Sequence, residues 1–408
     1  MRIAVIGGGP AGMMAAISAA QAGIETFLFE KNNKLGKKLF ITGKGRCNLT
    51  NDISPQEFLK NVVSNPKFLY SAINRFTPQD VINFFEQHGC PLKVERGGRV
   101  FPLSDHSSDI IKTFEKVLKN YGVNILLGCE VKDISKIADR FEILCGGGQK
   151  LDFDRVIIAC GGLSYPATGS TGDGYAFAKK FGHTIIETVP GLVSISVKED
   201  VSSLQGLSLK NVTLTAEYEN KVAAQLFGEM LFTQTGVSGP IVLSISSRIN
   251  RLPVNKVKLY IDLKPALDHN KLDDRILRDF AKYQNKLFKN ALDDLLPKSL
   301  IPEIIKRSGI DENQRVNAIT RAQRQNLINA LKRFELNVKS LDGFERAIIT
   351  SGGVNTKEIN PSTLESKLVK GLYFAGEIID VDAYTGGYNI QIAISTGYLA
   401  GVSVARVL

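Results

Sequence analysis

The chain has 408 residues, of which 43% are hydrophobic and 23% charged, a composition ordinary for a globular protein and long enough for two or three cored domains. The formal net charge is +10, and no run approaches the ~18 apolar residues of a membrane span, so no membrane partner is expected. Five scattered cysteines (Cys47, Cys90, Cys129, Cys145, Cys160) without a C-x-x-C, and four dispersed histidines, argue against a disulfide framework or a metal centre and fit a reducing cytoplasm.

The first thirty residues read as strand, glycine turn, helix, strand and acid. Ile3-Ala4-Val5-Ile6 is a short apolar run of the buried parallel-strand kind. Gly7, Gly9 and Gly12 form G-x-G-x-x-G, with Pro10 and Ala11 inside it. Gly7 permits the tight turn, Gly9 lets backbone approach a pyrophosphate, and Gly12 lets helix pack on strand. Ala-rich Met13–Ala22 favours helix, whose N-terminus offers free N–H groups to phosphate. Thr26–Phe29 is the second strand, closed by Glu30, an acid placed to accept hydrogen bonds from a ribose. Broken by glycines and followed by a second strand, this start does not read as a signal peptide.

Residues 1–50 hold seven Lys/Arg against two Asp/Glu, an excess suited to phosphate. The segment Thr42–Asn51 follows, with Gly43 and Gly45 permitting close approach and Lys44 and Arg46 offsetting phosphate charge. Cys47 has no neighbour in sequence for dithiol chemistry and is expected to pack or touch the cofactor. Val81–Gln87 and Ile110–Tyr121 look helical, Val123–Leu127 and Phe141–Leu144 strand-like, with a hairpin turn at 146–148. Arg155–Ala159 is a buried strand running into Cys160-Gly161-Gly162, a turn that lets the chain pass under a bulky ligand. Gly169–Gly174 then opens a helix at Tyr175–Phe181, with Asp173 as its expected N-cap, and His183 is structural.

After Pro190 the texture changes. Leu192–Val197, Leu209–Tyr218 and Val257–Leu263 alternate without helical spacers, which suggests a small antiparallel sheet or barrel. From 265 to 334 the pattern is helical and polar, and residues 264–340 carry sixteen basic and ten acidic residues, most simply a solvated face. No recognised nucleic-acid motif accompanies this excess, which disfavours a nucleic-acid partner. Leu336–Leu341 returns to the β unit. Gly371–Asp380 is a strand running into Ala375-Gly376-Glu377, with a second acid at Asp380, and a glycine-rich start (Thr385–Gln391) opens a final helix, Ile390–Ala405. Such a distant second segment suits the ribityl chain and pyrophosphate of FAD, with a helix N-terminus near the flavin carbonyl; NAD alone does not require it. There is no second G-x-G-x-x-G in a βαβ setting, so a nicotinamide is expected only as a transient visitor.

The expected organisation is a nucleotide domain over 1–190 and 345–408, an inserted β domain over 191–263 and 335–344, and a helical domain over 264–334. GGGPAG, ITGKGRCNLTN, ACGGLSYPATGSTGDGYAFAKKFGH, TSGGVNTKEI and LYFAGEIIDVDAYTGGYNIQIAISTG occur in order. Together they resemble the BaiN-like, aminoacetone-oxidase-like family of bacterial FAD flavoproteins, over the whole chain. The resemblance implies an α/β plus β fold: a Rossmann-type FAD-binding domain built from both chain ends, with an inserted β-barrel-like domain and a helical domain. It implies non-covalent FAD, with contacts carried over to Gly7, Gly9, Pro10, Ala11, Gly12, Glu30, Lys31, Lys38, Gly45, Arg46, Cys47, Asn48, Val131 (adenine side), Ala159, Gly161, Gly162, Gly376, Glu377, Asp380, Gly387, Asn389, Ile390 and Gln391. Family members include an amine oxidase and a bile-acid reductase or dehydrogenase, so the resemblance leaves the reaction open.

The functional expectation is an FAD-dependent oxidoreductase exchanging a hydride between flavin N5 and a small amine or enone held between the FAD and inserted domains, with oxygen or NAD(P)H as electron partner. Arg46 is expected near phosphate or flavin. Tyr165 and Tyr384, on glycine-flanked turns, are placed to reach the flavin and could orient substrate, but packing is the preferred role for both, and no catalytic side chain is assigned. The alternatives are a flavin-containing RNA-associated protein and a flavin-binding module without turnover. Oligomeric state is not legible.

Overall fold

The computed structural model describes residues 1–405. Contacts divide the chain into two compact units, Met1–Gly191 with Gly343–Leu408, and Leu192–Asp342.

The first unit is built on a five-stranded parallel sheet. Its strands lie side by side in the order Leu372–Phe374, Arg155–Ile158, Arg2–Ile6, Glu25–Glu30 and Asn124–Leu127. Arg2–Ile6 occupies the middle, with Ile3, Ala4 and Val5 fully buried, which is why its sequence is a continuous apolar run rather than an alternating one. Helix Pro10–Gln21 starts with proline in its first turn, where the missing N–H costs nothing. It is buried nearly all round, from Ala11 to Ala19, because the C-terminal helix Tyr388–Ala405 lies against it. Gly397 and Gly401 make that packing. A Cβ at Gly397 would land inside the Ala11 carbonyl oxygen, and one at Gly401 inside the Ala15 carbonyl oxygen. A three-stranded antiparallel sheet (Val131–Ile137, Arg140–Cys145, Lys150–Phe153) leads into strand Arg155–Ile158, with the expected turn at 146–148.

The second unit holds a closed six-stranded barrel, in the order Ile195–Val197, Gly236–Ser238, Lys221–Phe232, Ser208–Tyr218, Lys258–Asp262 and Phe334–Leu341, the last pairing back to the first. Leu214, Ala216, Leu259, Ile261, Leu336 and Val338 are buried within this unit's core, together with Leu272, Ile276, Leu327 and Ile328 from helices His269–Lys282 and Arg321–Lys332. Barrel and helices of this unit therefore share one apolar core. Two details depart from the sequence pattern. The strand expected from Leu192 begins at Ile195, because Leu192 sits at φ +53°. The 12-residue strand Lys221–Phe232 escaped the alternation rule, because it has an irregular register and leaves Val222 and Phe227 exposed.

Among the described residues, no helix is long and apolar enough to cross a membrane. Gly397→Ala is expected to cost about 1–3 kcal/mol in urea unfolding, the usual penalty of overpacking a tight interface. Unchanged stability would show that the two helices can separate freely.

Candidate flavin-nucleotide site

Three adjacent parallel strands end in glycine turns at their carboxyl ends, where ligands bind in open α/β sheets. Strand Arg2–Ile6 runs into Gly7–Gly9, strand Arg155–Ile158 into Gly161–Gly162, and strand Leu372–Phe374 into Gly376. Gly7 is at φ +110°, and a Cβ there would meet the Ala159 carbonyl oxygen at 2.5 Å. Gly12 faces the Gly7 carbonyl with no room for a side chain. Gly376, at φ +79°, brings the third strand end against Ala11 and donates its N–H to Thr396 Oγ1 at 2.9 Å. Gly9 differs: its φ of −78° suits any residue, and nothing lies within 4 Å of its Cβ position. It caps helix Pro10–Gln21 with no side-chain bond, so the helix N-terminus opens onto free space.

Glu30 shapes this turn. Its Oε2 accepts from Gly8 N–H at 2.8 Å, and its Oε1 accepts from the Asn32 N–H and side-chain amide at 2.8 and 2.7 Å. Two carboxylate oxygens offer about four acceptor sites, so one is left for a ribose hydroxyl. Asn32 also donates to Thr168 O at 3.0 Å, and Lys31 bonds Thr171 Oγ1 and Asp173 Oδ2 at 2.5 and 2.6 Å. These bonds strap loop 164–173 across the end of strand Glu25–Glu30. Asp173 is therefore not the expected N-cap. Gly172, at φ +84°, holds that position, and the Asp173 carboxylate goes to Lys31.

Glu377 gathers the opposite side. Its Oε2 accepts from Lys38 Nζ at 2.7 Å, and its Oε1 accepts from Ser164 Oγ at 2.5 Å and Thr350 N–H at 2.9 Å. Lys38 also reaches Ser164 Oγ at 2.5 Å, while Thr350 Oγ1 accepts from the N–H groups of Leu163 and Ser164. Burial works to raise the Glu377 carboxyl, but the Lys38 ammonium and the three hydrogen bonds together hold it below the usual carboxylate range. Ser164 and Thr350 were missed from sequence. They are 186 residues apart, and no local pattern marks two hydroxyls as partners of one distant acid.

The loop after Ile41 carries left-handed backbone at Gly43, Lys44, Gly45 and Cys47. Cys47 is fully buried, and burial pushes its thiol up to about 12, so it stays protonated. The Arg46 guanidinium bonds Asp105 and Glu95 and lies 4.2 Å over the Phe101 ring, so two carboxylates share its charge. Turning the Asn48 amide lets it meet Gly387 N–H and Thr50 O, each at 3.1 Å. Thr50 Oγ1 donates to Gln391 Oε1 at 2.5 Å, which ties this loop to the start of helix Tyr388–Ala405. Gln391 is fully buried and also bonds Phe76 O and Ser395. Asn389 pairs with both backbone groups of Ala383 at 2.9 and 2.8 Å, and Ile390 beside it is half-buried. Asp380 accepts from Asn65, and Val131 stands opposite Cys145 in the antiparallel sheet. Tyr165 holds a left-handed φ of +51°, with its carbonyl accepting from Thr168.

A family model described as the HI0933-like protein Rossmann domain matches residues 1–403. The chain belongs to that family, and it is an FAD-dependent oxidoreductase. It is similar to a 3-dehydro-bile acid delta(4,6)-reductase of Clostridium scindens, 34% identical and covering 99% of each chain. It is similar too to a ribosomal RNA dihydrouridine synthase of Haemophilus influenzae, 33% identical and covering 98% of each. Among solved structures, the 3-ketosteroid-delta4-(5alpha)-dehydrogenase of Rhodococcus jostii RHA1 shares the fold, with a TM-score of 0.54 at 15% identity, covering 99% of this chain and 96% of that one. The residues fit FAD: the open space over Gly9 and the uncapped helix start suit a pyrophosphate, and Glu30 keeps an acceptor for ribose.

A carboxyl whose folded value is depressed stabilises the fold above its unfolded value, near 4.5 for Glu377, and loses that contribution as pH falls through the folded value. Glu377→Gln is therefore expected to lower stability by about 1–2 kcal/mol at pH 7 and to flatten the acid limb of the urea-midpoint profile. An unaltered acid limb would show that the Lys38 pair contributes nothing.

Proposed function

We propose that this protein reduces a carbon–carbon double bond conjugated to a carbonyl, using non-covalently held FAD and NAD(P)H as electron source. One observation carries the reading. The two full-length relatives are named for very different substrates, a bile acid and ribosomal RNA, yet both names describe saturating a double bond next to a carbonyl. Bound FAD would supply hydride to the β-carbon of such a system. The α-carbon then takes a proton.

The chain's own residues divide the work of holding the cofactor. Gly9, Ala11 and Gly12 present N–H groups and the helix dipole to the pyrophosphate, while Gly7, whose N–H goes to the Phe29 carbonyl, and Pro10, which has no N–H, shape the turn. Glu30 takes the adenosine ribose, and Val131 flanks the adenine. Gly161, Gly162, Gly376 and Asp380 line the ribityl chain. Lys31 and Lys38, each already paired with an acid, fix the strap and Glu377 around it. The turn at Gly387 and Asn389 directs the N-terminus of helix Tyr388–Ala405 at the flavin, where negative charge grows on reduction.

The ribosomal RNA relative, matched over the same length as the bile-acid one, also favours a second reading, in which the double bond belongs to a uridine in RNA. The basic excess of 264–340 is its electrostatic support, tempered by ion pairs such as Lys282–Asp294 and Arg307–Glu303.

Under anaerobic conditions, NADH or NADPH is expected to bleach the flavin band. A steroid dienone or a uridine-containing ribosomal RNA is then expected to restore it, and whichever does so names the substrate class. Bleaching by small amines with recovery only in air would point to an oxidase and end this reading. Gly9→Ala is expected to leave the stability of the FAD-free protein within about 0.5 kcal/mol of the original. The same change should weaken FAD binding at least about tenfold, because its methyl fills the approach to the pyrophosphate. Equal affinity by flavin titration would place the pyrophosphate elsewhere.

A further inference from the structure

Tyr175 sits in helix Asp173–Lys180, 7% exposed, with no hydrogen-bond partner for its hydroxyl. A buried, unsatisfied donor costs about 1–3 kcal/mol, whereas phenylalanine would fill nearly the same space without that cost. The hydroxyl therefore calls for an acceptor. No protein acceptor bonds it: the Glu377 oxygens turn to Lys38, Ser164 and Thr350, and Asp380 Oδ2 accepts from Asn65, none of them meeting the phenol.

The position is also specific. A Cβ on Gly162 would meet Thr350 Oγ1 at 2.4 Å and the Tyr175 oxygen at 3.1 Å, so the absent side chain, required chiefly by Thr350, also leaves the phenol beside the Gly161–Gly162 turn. Gly162 follows the strand beside the first strand of the sheet and Glu377 follows the next one, so the hydroxyl lies beside the Gly161–Gly162 turn and within electrostatic reach of Glu377. Burial, reinforced by the Glu377 and Asp380 charges, drives its acidity far down, so it remains a donor at every working pH.

We infer that Tyr175 is a cofactor-binding residue whose hydroxyl donates to an oxygen on the phosphate-and-ribityl chain of FAD. The inference rests on the FAD reading above. It makes a paired demand that a packing role does not: the hydroxyl should be a burden without cofactor and an asset with it.

The test compares the full-length protein with Tyr175→Phe, each stripped of flavin and then titrated with FAD. The FAD-free variant should melt about 1–3 °C higher than the original. Its FAD dissociation constant should rise about three- to tenfold, the loss of one hydrogen bond. An unchanged dissociation constant in the variant, with the original chain binding FAD, overturns this inference alone. A lower melting point of the FAD-free variant does the same, because it would show that the protein itself supplies the acceptor. Failure of the original chain to bind FAD overturns both this inference and the functional reading.

Discussion

The crossing of helix Tyr388–Ala405 over helix Pro10–Gln21 is the contact on which the site depends. Gly397 and Gly401 set backbone against the carbonyls of Ala11 and Ala15, too close for any side chain. That approach holds the two ends of the chain together across nearly four hundred residues. It places the Gly387–Asn389 turn beside Thr50 and Asn51, and Gly376 against Ala11. The parallel sheet brings the turns at 7–9 and 376 to one edge, and the helix crossing closes Gly376 against Ala11 there. Because the packing is between backbones, its energy comes from dispersion and excluded water over a nearly featureless interface, and it tolerates little change in volume.

Electrostatics then fix what the helices bring near. Lys31 and Lys38 look in sequence like free cations awaiting phosphate. In the fold each is partnered, Lys31 by Asp173 and Lys38 by Glu377, and these pairs tie the ends of three strands into one frame. Beside these pairs the uncapped start of helix Pro10–Gln21 carries the partial positive charge of its N–H groups. Such dipoles are held rigidly and need no reorganisation when charge arrives. Arg46 follows the same economy. Seated on Phe101 between Glu95 and Asp105, it stiffens a loop of left-handed residues that would otherwise be strained and mobile.

Local chemistry was legible in the sequence, and long-range partnership was not. The strand–turn–helix over 2–22, the acid at Glu30, the strand into Gly161–Gly162 and the closing strand into Gly376 each carry a short-range signature, and the fold has them. Helix ends were off by a few residues, as at Asp173, because a glycine in left-handed conformation took the capping position. The strand Lys221–Phe232 stayed hidden because an exposed Phe227 and a register shift blur its period of two. Ser164, Thr350 and Tyr175 could not be singled out. Their meaning lies in groups contributed by segments up to 213 residues away, and nothing in a single sequence records that distance being closed.

The division between legible and hidden residues has a physical basis. Glycines announce themselves because their role is to be absent, and absence of a side chain constrains the chain locally. Hydroxyls and acids act by meeting one another, so their roles exist only after the sheet has ordered its strands. Glu377 shows the consequence. As the acid of an Ala-Gly-Glu turn it reads as a cofactor ligand. In the fold its two oxygens already accept from three donors, the Lys38 ammonium, the Ser164 hydroxyl and the Thr350 N–H. A carboxylate so placed holds three segments of the fold together, while the start of helix Pro10–Gln21 has no side-chain cap and the Tyr175 phenol no partner of its own.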